Sequence, residues 1–307
     1  MAAYVIVTSA YNEAARLPGL VESVSAQTVL PLRWILVSDG STDETDRLAT
    51  EAADERPWMT FLRIDRERPS DAAARVAPGK VAAIRTALAQ LEGLDYEYFA
   101  NLDADVTLPP DYYERVLGLF EADERLGIAG GGAYNVYEDG EVSETGFLQP
   151  GFVGGPVQMF RRTCYDEIGG YVPHGHEDVL AVAMAKMNGW RVRCDASIRA
   201  LHRDQERPGT ASKVPTLFNM GRADYVMHGS LWFEVMRGVR RMAARPYVLA
   251  GLAQLAGYGE ALLRRRPKIP ASPELLQYLR AEEKAKAARV VRALRPGSRA
   301  GQTGGGK

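Results

Sequence analysis

Apolar positions along the chain fall into short continuous runs separated by stripes at helical spacing. Tyr4-Val5-Ile6-Val7-Thr8 and Trp34-Ile35-Leu36-Val37 are uninterrupted apolar segments, the pattern of strands covered on both faces. Between them, Leu17, Leu20, Val21 and Val24 recur on one helical face, with Gln27 near the end. Ser38-Asp39-Gly40-Ser41-Thr42-Asp43-Glu44-Thr45 is dense in turn and capping residues and predicts a helix that runs through Ala53. Phe61-Leu62-Arg63-Ile64 predicts a third strand and Arg66 to Ala77 an irregular loop. Gly79-Lys80 opens a helix with Val81, Ile84, Leu88 and Leu91 on one side, and Tyr98 to Leu102 predicts a fourth strand. Such strand–helix alternation predicts a mostly parallel, doubly wound α/β sheet with helices on both faces.

Beyond Asp123 the pattern changes. Ile128 to Tyr137 mixes glycines with β-formers, and Gly140 fits a hairpin turn. Val157-Gln158-Met159-Phe160 reads as a short strand, ending in Arg161-Arg162. A helix is expected from Asp178 to the stop at Gly189, then strands at Trp190-Arg193 and Ala200-Arg203. Residues 214–239, 246–263 and 273–294 read as helices, and the Gly-rich residues 295–307 as a disordered tail. The expected organisation is therefore a catalytic domain over 1–212, divided at 123/124, followed by a helical extension over 213–294.

Composition narrows the class. Hydrophobic residues make up 46% and charged residues 25% of the 307-residue chain, ordinary values for a globular protein. A net charge of −1 argues against a general nucleic-acid binder. Yet Arg237, Arg240, Arg241, Arg245, Arg264, Arg265, Arg266 and Lys268 crowd the last third, where an anionic surface would be met. Cys164 and Cys194 form neither a disulfide framework nor a metal-binding spacing, so a reducing cytoplasm is expected. Tyr4 to Thr8 is too short for a signal peptide.

The chemistry gathers at strand ends. The fourth strand stops at Asp103-Ala104-Asp105, and two acids at the carboxyl end of a parallel strand suit a hard divalent cation that also holds phosphates. Asp is equally a turn or cap residue. Tyr11, Glu13 and Asp39 follow the first two strands, and parallel topology brings all these ends to one edge. Neither a Gly-x-Gly-x-x-Gly after the first strand nor a P-loop is present.

Ser9-Ala10-Tyr11-Asn12-Glu13, Val37-Ser38-Asp39-Gly40-Ser41-Thr42-Asp43, Gly79-Lys80, Asp103-Ala104-Asp105 and Gly175-His176-Glu177-Asp178 with Gly189-Trp190 occur in order over residues 4–205. In this the chain resembles the family 2 glycosyltransferases, inverting nucleotide-sugar enzymes of GT-A (Rossmann-like) fold. The resemblance implies that Tyr11, Glu13, Asp39 and Lys80 contact the donor, a UDP-sugar. It implies that Asp105 and Asp103 hold Mn2+ or Mg2+, with Asp103 shared with the ribose. A histidine such as His202 completes the metal shell in some relatives, or else is structural. Asp178 stands at the general-base position, with Glu177 orienting it or serving as a second helix-start acid.

Gln205-Glu206-Arg207-Pro208 does not match the Gln-x-x-Arg-Trp signature of processive synthases, and no long apolar spans are present. Transfer of a single sugar to a carbohydrate or lipid-linked hydroxyl is the expected reaction. A non-catalytic sugar-nucleotide binder would not need Asp178. A nucleotidyltransferase would carry a glycine- and basic-rich loop where this chain has Tyr11-Asn12-Glu13. Arg161 and Arg162 fall where the acceptor region of relatives begins, and either meet an acceptor phosphate or lie at the surface. Val248, Leu252, Leu255 and Leu262 form one stripe between arginine clusters. Such a stripe belongs either to an interfacial helix on an anionic membrane or to a helix packed on the protein.

Overall fold

In the computed structural model, residues 3–65, 72–137, 140–144, 149, 151–173, 175–205, 210–242 and 247–294 are described, with backbone alone at 72–78, 203–205, 210–212 and 289–294. The expected tail at 295–307 and residues 66–71 of the expected loop lie outside them. The chain divides into two compact units, Met1–Arg207 and Pro208–Lys307.

The first unit begins β1 (Tyr4–Ala10), α1 (Leu17–Ser25), β2 (Arg33–Asp39), α2 (Thr45–Asp54), β3 (Met59–Ile64) and α3 (Ala72–Ala89). There follow β4 (Tyr98–Asn101), β5 (Val106–Thr107), α4 (Tyr112–Glu121), β6 (Leu126–Tyr137) and β7 (Val142–Glu144). A 3-10 turn (Gly155–Val157), β8 (Met159–Arg161), α5 (Arg162–Glu167), α6 (Glu177–Met187) and β9 (Arg191–Gln205) complete it. Helix α3 starts at Ala72, within the stretch expected to be irregular, because Ala72, Ala73, Ala74 and Ala77 are strong helix formers. The two strands expected at 190–193 and 200–203 are one, β9. Its register against β6 jumps from Gly131↔Asp195 to Gly132↔Arg199, so the intervening residues bulge out of the ladder.

The described strands form one sheet in the order β3-β2-β1-β4-β8-β6-β9-β5, with β7 on β6. The first four are mutually parallel, whereas β8 enters antiparallel to both β4 and β6. The core follows from the continuous apolar runs. Val5, Ile6, Trp34 and Leu36 are fully buried, each contributing about 1.5–3 kcal/mol. Trp34 Nε1 donates to Thr8 Oγ1 at 3.0 Å, satisfying two buried polar atoms together. Phe99 stacks on Phe160 at 5.9 Å, and Tyr165 and Tyr171 meet Phe160 edge-on, closing the seam between the parallel and antiparallel halves.

The second unit comprises α7 (Thr210–Val226), α8 (Leu231–Arg241), α9 (Tyr247–Leu263) and α10 (Pro273–Leu294). The helix expected over 214–239 is broken where His228 turns left-handed at φ 64° and Gly229 N–H donates to Asp224 O at 2.7 Å. Glu283 of α10 fixes the break, accepting from Ser230 N–H at 2.9 Å and Ser230 Oγ at 2.6 Å. Helix α9 buries its small residues, including Ala250, Gly251, Ala253, Gly257 and Ala261. A Cβ on Gly221 of α7 would lie 1.9 Å from Gln254 O, and one on Gly257 1.8 Å from Phe218 O. The two backbones are thus in direct contact. Of the expected apolar stripe, Leu255 packs on Gly238, while Val248, Leu252 and Leu262 are exposed.

Glu234 of α8 is buried beside Asp224 and Arg237. Burial, then the Asp224 charge, raises its pKa well above the usual carboxylate range against the pull of Arg237. The unfolded chain ionises at the ordinary value while the folded chain still holds the proton. Stability is therefore expected to fall as pH rises from that value toward and past neutrality. Glu234→Gln should flatten this slope and raise the thermal midpoint at pH 8, with a gain on the order of 1.4 kcal/mol, equivalent to a tenfold change in proton affinity. Thermal unfolding of both forms between pH 4.5 and 8, followed by circular dichroism, checks it.

Candidate active site

Because β1, β2 and β4 are parallel, their carboxyl ends share one edge of the sheet, and the segments leaving them are laced together. Asn12, in the left-handed region at φ 56°, donates its N–H to Ser41 Oγ at 3.1 Å and accepts from Thr42 N–H at 2.8 Å. Glu13 N–H donates to Thr45 Oγ1 at 2.8 Å and Ala14 N–H to Asp43 Oδ2 at 3.2 Å. The two loops form a single wall. Asp39 is buried at the end of β2, and Tyr11 stands exposed at the rim.

Next along the edge, Lys80 of α3 donates to Asp103 Oδ1 at 2.5 Å. Burial alone would lower the Lys80 pKa, but Asp103, with Glu177 and Asp178 further off, holds it above the ordinary value. Asp105 Oδ1 lies 3.7 Å from His202 Nε2, a contact set by the antiparallel register Val106↔His202. Glu13 pairs with Arg16 at 3.0 Å. Its pKa is nonetheless raised by burial, with repulsion from Asp105 and Asp103 adding to it.

Asp178 is held by two backbone amides: Oδ2 accepts from Gly155 N–H at 3.0 Å and Oδ1 from Val179 N–H at 2.8 Å. It stands in the first turn of α6, where the helix dipole favours an anion. Its neighbour Glu177 has a raised pKa, from burial first and from Asp178 and Asp103 in addition, with Lys80 opposing. The fold thus gathers Glu13, Lys80, Asp103, Asp105, Glu177, Asp178 and His202, which are scattered from residue 13 to residue 202.

Arg161 and Arg162 do not join them. Strand β8 is antiparallel to β4 with Tyr98↔Arg161 in register, which puts both arginines at the opposite edge of the sheet. Arg161 binds Phe120 O at 3.1 Å, Leu126 O at 3.2 Å and Tyr98 Oη at 3.2 Å. Arg162 lies over the Tyr96 ring at 4.4 Å. Arg161 knits the scaffold, and Arg162 stays partly exposed, both away from the carboxylate cluster.

Sequence reasoning missed the residues that hold the cluster. Asn101 Nδ2 donates to Gly155 O at 2.5 Å, and Asp103 N–H to Pro156 O at 3.0 Å. Gln158 Nε2 bridges Val153 O at 2.8 Å and Asp178 O at 3.2 Å, while Tyr171 donates its hydroxyl to Gln158 Oε1 at 2.6 Å. The available signal was a lone amide inside an apolar run, at Asn101 and at Gln158, because a buried polar side chain has to have a partner.

The donor set fits a hard divalent cation in part. Two carboxylates leave one strand end, and the buried His202 Nε2 beside Asp105 makes no hydrogen bond. Among the described residues no three His, Cys, Asp or Glu side chains are already drawn into a metal cage. Such an open set suits a cation that takes its other ligands from substrate phosphates and water.

Fold and site define a class: this is a GT-A fold. The structure superimposes on a mannosyltransferase of Pyrobaculum calidifontis, solved with GDP-Man and Mn2+, with a TM-score of 0.55 at 16% identity over 94% of this chain and 80% of that one. It superimposes on GalNAc-T7, solved with UDP, GalNAc and Mn2+, with a TM-score of 0.57 at 15% identity over 96% of this chain and 58% of that one. Residues 5–174 match the family described as Glycosyl transferase family 2, and the chain belongs to that family. It is 27% identical over 188 residues to the succinoglycan biosynthesis protein ExoA of Rhizobium meliloti, spanning 60% of this chain and 51% of that protein. It is 34% identical over 119 residues to an undecaprenyl-phosphate 4-deoxy-4-formamido-L-arabinose transferase of Yersinia enterocolitica, spanning 38% of this chain and 33% of that one. The chain thus spans about half the length of the first relative and a third of the second.

Three substitutions test this geometry. A Cβ on Gly155 would stand 3.2 Å from both Asp178 Cβ and Oδ2, so Gly155→Ala should displace the carboxylate and slow turnover about 10²-fold while nucleotide binding by calorimetry stays unchanged. Asp105→Asn should abolish Mn2+-dependent nucleotide binding, because an uncharged amide is a poor ligand for a hard cation. His202→Ala should weaken Mn2+ binding by calorimetry.

Proposed function

We propose that the protein transfers a single sugar, with inversion, from a nucleoside-diphosphate sugar to a hydroxyl of a carbohydrate or lipid-linked acceptor. The observation that carries this reading is Asp178, fixed by the Gly155 and Val179 amides beside the Lys80–Asp103 pair. A protein that only bound the donor would have no use for an oriented carboxylate at that place. Inverting transfer needs one base on the acceptor side, opposite the leaving diphosphate. Asp178 takes the acceptor hydroxyl proton as that oxygen attacks the anomeric carbon and the bond to the diphosphate breaks.

Tyr11 and Asp39 face the base and ribose, with Asp39 accepting from a uracil N–H or a ribose hydroxyl. A UDP-sugar is therefore the donor of choice. Asp103 and Asp105, with His202, would hold Mn2+ or Mg2+, which supplies charge for the departing diphosphate. Lys80 is the neighbouring cation on the same side, and Glu13 adds a donor-side carboxylate. Glu177 orients Asp178. The likeness to an undecaprenyl-phosphate transferase supports a lipid-linked acceptor, and with it the proposal of a reaction at the cytoplasmic face of an anionic membrane. No helix among the described residues is long and apolar enough to cross one.

The decisive test is Asp178→Asn with a panel of UDP- and GDP-sugars and Mn2+. Donor binding by thermal shift should persist while release of nucleoside diphosphate falls about 10²–10⁴-fold. Parallel loss of binding would make Asp178 a donor residue, and release of pyrophosphate would indicate nucleotidyl transfer instead.

A further inference from the structure

The helical unit buries small residues where its helices touch and leaves several large apolar side chains exposed. On α8, Leu231, Trp232, Val235 and Val239 are 45–58% exposed, and on α9 Val248, Leu249 and Leu252 are 50–57% exposed. Positions 231, 235 and 239 form one i, i+4, i+8 stripe, as do 248 and 252. The helices cross at glycines: a Cβ on Gly251 would lie 2.2 Å from Gly238 O, and one on Gly238 2.7 Å from the Leu255 side chain. Gly251 also meets Met242, so α9 ascends as α8 descends and the pair is antiparallel. In an antiparallel pair, the flanks that follow the contact residues in the same rotational sense fall on the same side. Both apolar stripes occupy that flank, and they form one surface two helices wide. It continues into an open groove of about 510 Å³ between α7 and α9, lined by Leu249 and Leu252 with Val214, Pro215 and Phe218.

We infer that this α8–α9 face docks on the surface of an anionic lipid bilayer. The argument for that occupant is the charge at its two ends. Arg240 lies at the carboxyl end of α8, and Arg264 and Arg265 follow the carboxyl end of α9. Antiparallel packing therefore places arginines at both ends of the apolar surface. Arg240 and Arg265 are exposed and have no ionic partner among the described residues. The acids nearby are turned away: Glu234 is buried, and Glu260 is bound by Arg222, Arg264 and Arg266, with its carboxyl held down to about 2 by the Arg266 and Arg222 hydrogen bonds. A second copy would set arginine against arginine in any symmetric pairing. Lipid phosphates meet this rim, acyl chains meet the apolar face, and Trp232 sits at the boundary where indoles settle.

The inference rests on the transferase reading only for its purpose, and the two fail separately. Release of nucleoside diphosphate without lipid tests the enzyme, and vesicle binding tests the face. The full chain is expected to co-sediment with phosphatidylglycerol vesicles, to do so less as salt rises, and to ignore pure phosphatidylcholine. Brominated acyl chains should quench tryptophan fluorescence, and Trp232→Phe should remove the quenching. Val239→Asp with Leu252→Asp should abolish binding with helicity and nucleotide release unchanged. Arg240→Gln should weaken binding about five-fold, the effect of one basic group at a lipid surface. Absence of binding to anionic vesicles overturns the inference, as does binding indifferent to the aspartates. So does a dimer in solution that the aspartates dissociate.

Discussion

Gly155 gives both of its backbone groups to the site. Its carbonyl takes the Asn101 amide at the end of β4, and its N–H holds Asp178 at the start of α6. Those two side chains come from different halves of the sheet, one reached by a parallel strand and the other after the chain has reversed direction through β8. The spacing between the strand-end carboxylates and Asp178 is therefore set at one residue. Its neighbours reinforce it: Pro156 O receives Asp103 N–H, and Gln158 ties the Asp178 carbonyl to Tyr171. No side chain larger than hydrogen fits at 155 without moving Asp178.

Around that residue the electrostatics are unbalanced. Lys80 stands amid Asp103, Glu177 and Asp178, while Glu13 faces Asp103 and Asp105. Partial burial strips hydration from these carboxylates and their neighbours repel them in addition, which raises the pKa of Glu13 and Glu177. Such an arrangement costs folding free energy, and the aromatic seam of Phe99, Phe160, Tyr165 and Tyr171 beneath it supplies the rigidity that maintains it. A cleft dominated by carboxylates is suited to cations and to the phosphates they carry.

The two units treat apolar residues in opposite ways. In the first, large side chains fill the space between sheet and helices, and glycines serve where a backbone must come close. In the second, glycines and alanines bring the backbones of α7, α8 and α9 into contact, with Tyr225 and Tyr258 buried as a ring pair between α7 and α9, while several large apolar side chains of α8 and α9 are left outside. Close approach of this kind buries little apolar area per residue. The exposed surface is its direct geometrical consequence.

The strands, most helices and the carboxylates at strand ends were legible in the sequence, because period and turn chemistry are local properties. Trp34–Val37 reads as a buried strand wherever it lies, and Asp103-Ala104-Asp105 at a strand end predicts its own exposure to the site edge. Three matters depended on the tertiary structure. Arg161 and Arg162 follow a strand just as Asp39 and Asp103 do, yet β8 runs the other way and carries them to the far edge; strand direction is a pairing property that no local pattern encodes. Asn101, Gly155 and Gln158 touch partners 54, 23 and 20 residues away, so their roles exist only once the chain has closed. The face that α9 buries was settled by how near Gly221, Gly251 and Gly257 let the helices come, a distance that an apolar stripe does not specify. Local sequence determined the elements and their chemistry, whereas strand direction and close approach, which are relations between distant segments, decided what each element meets.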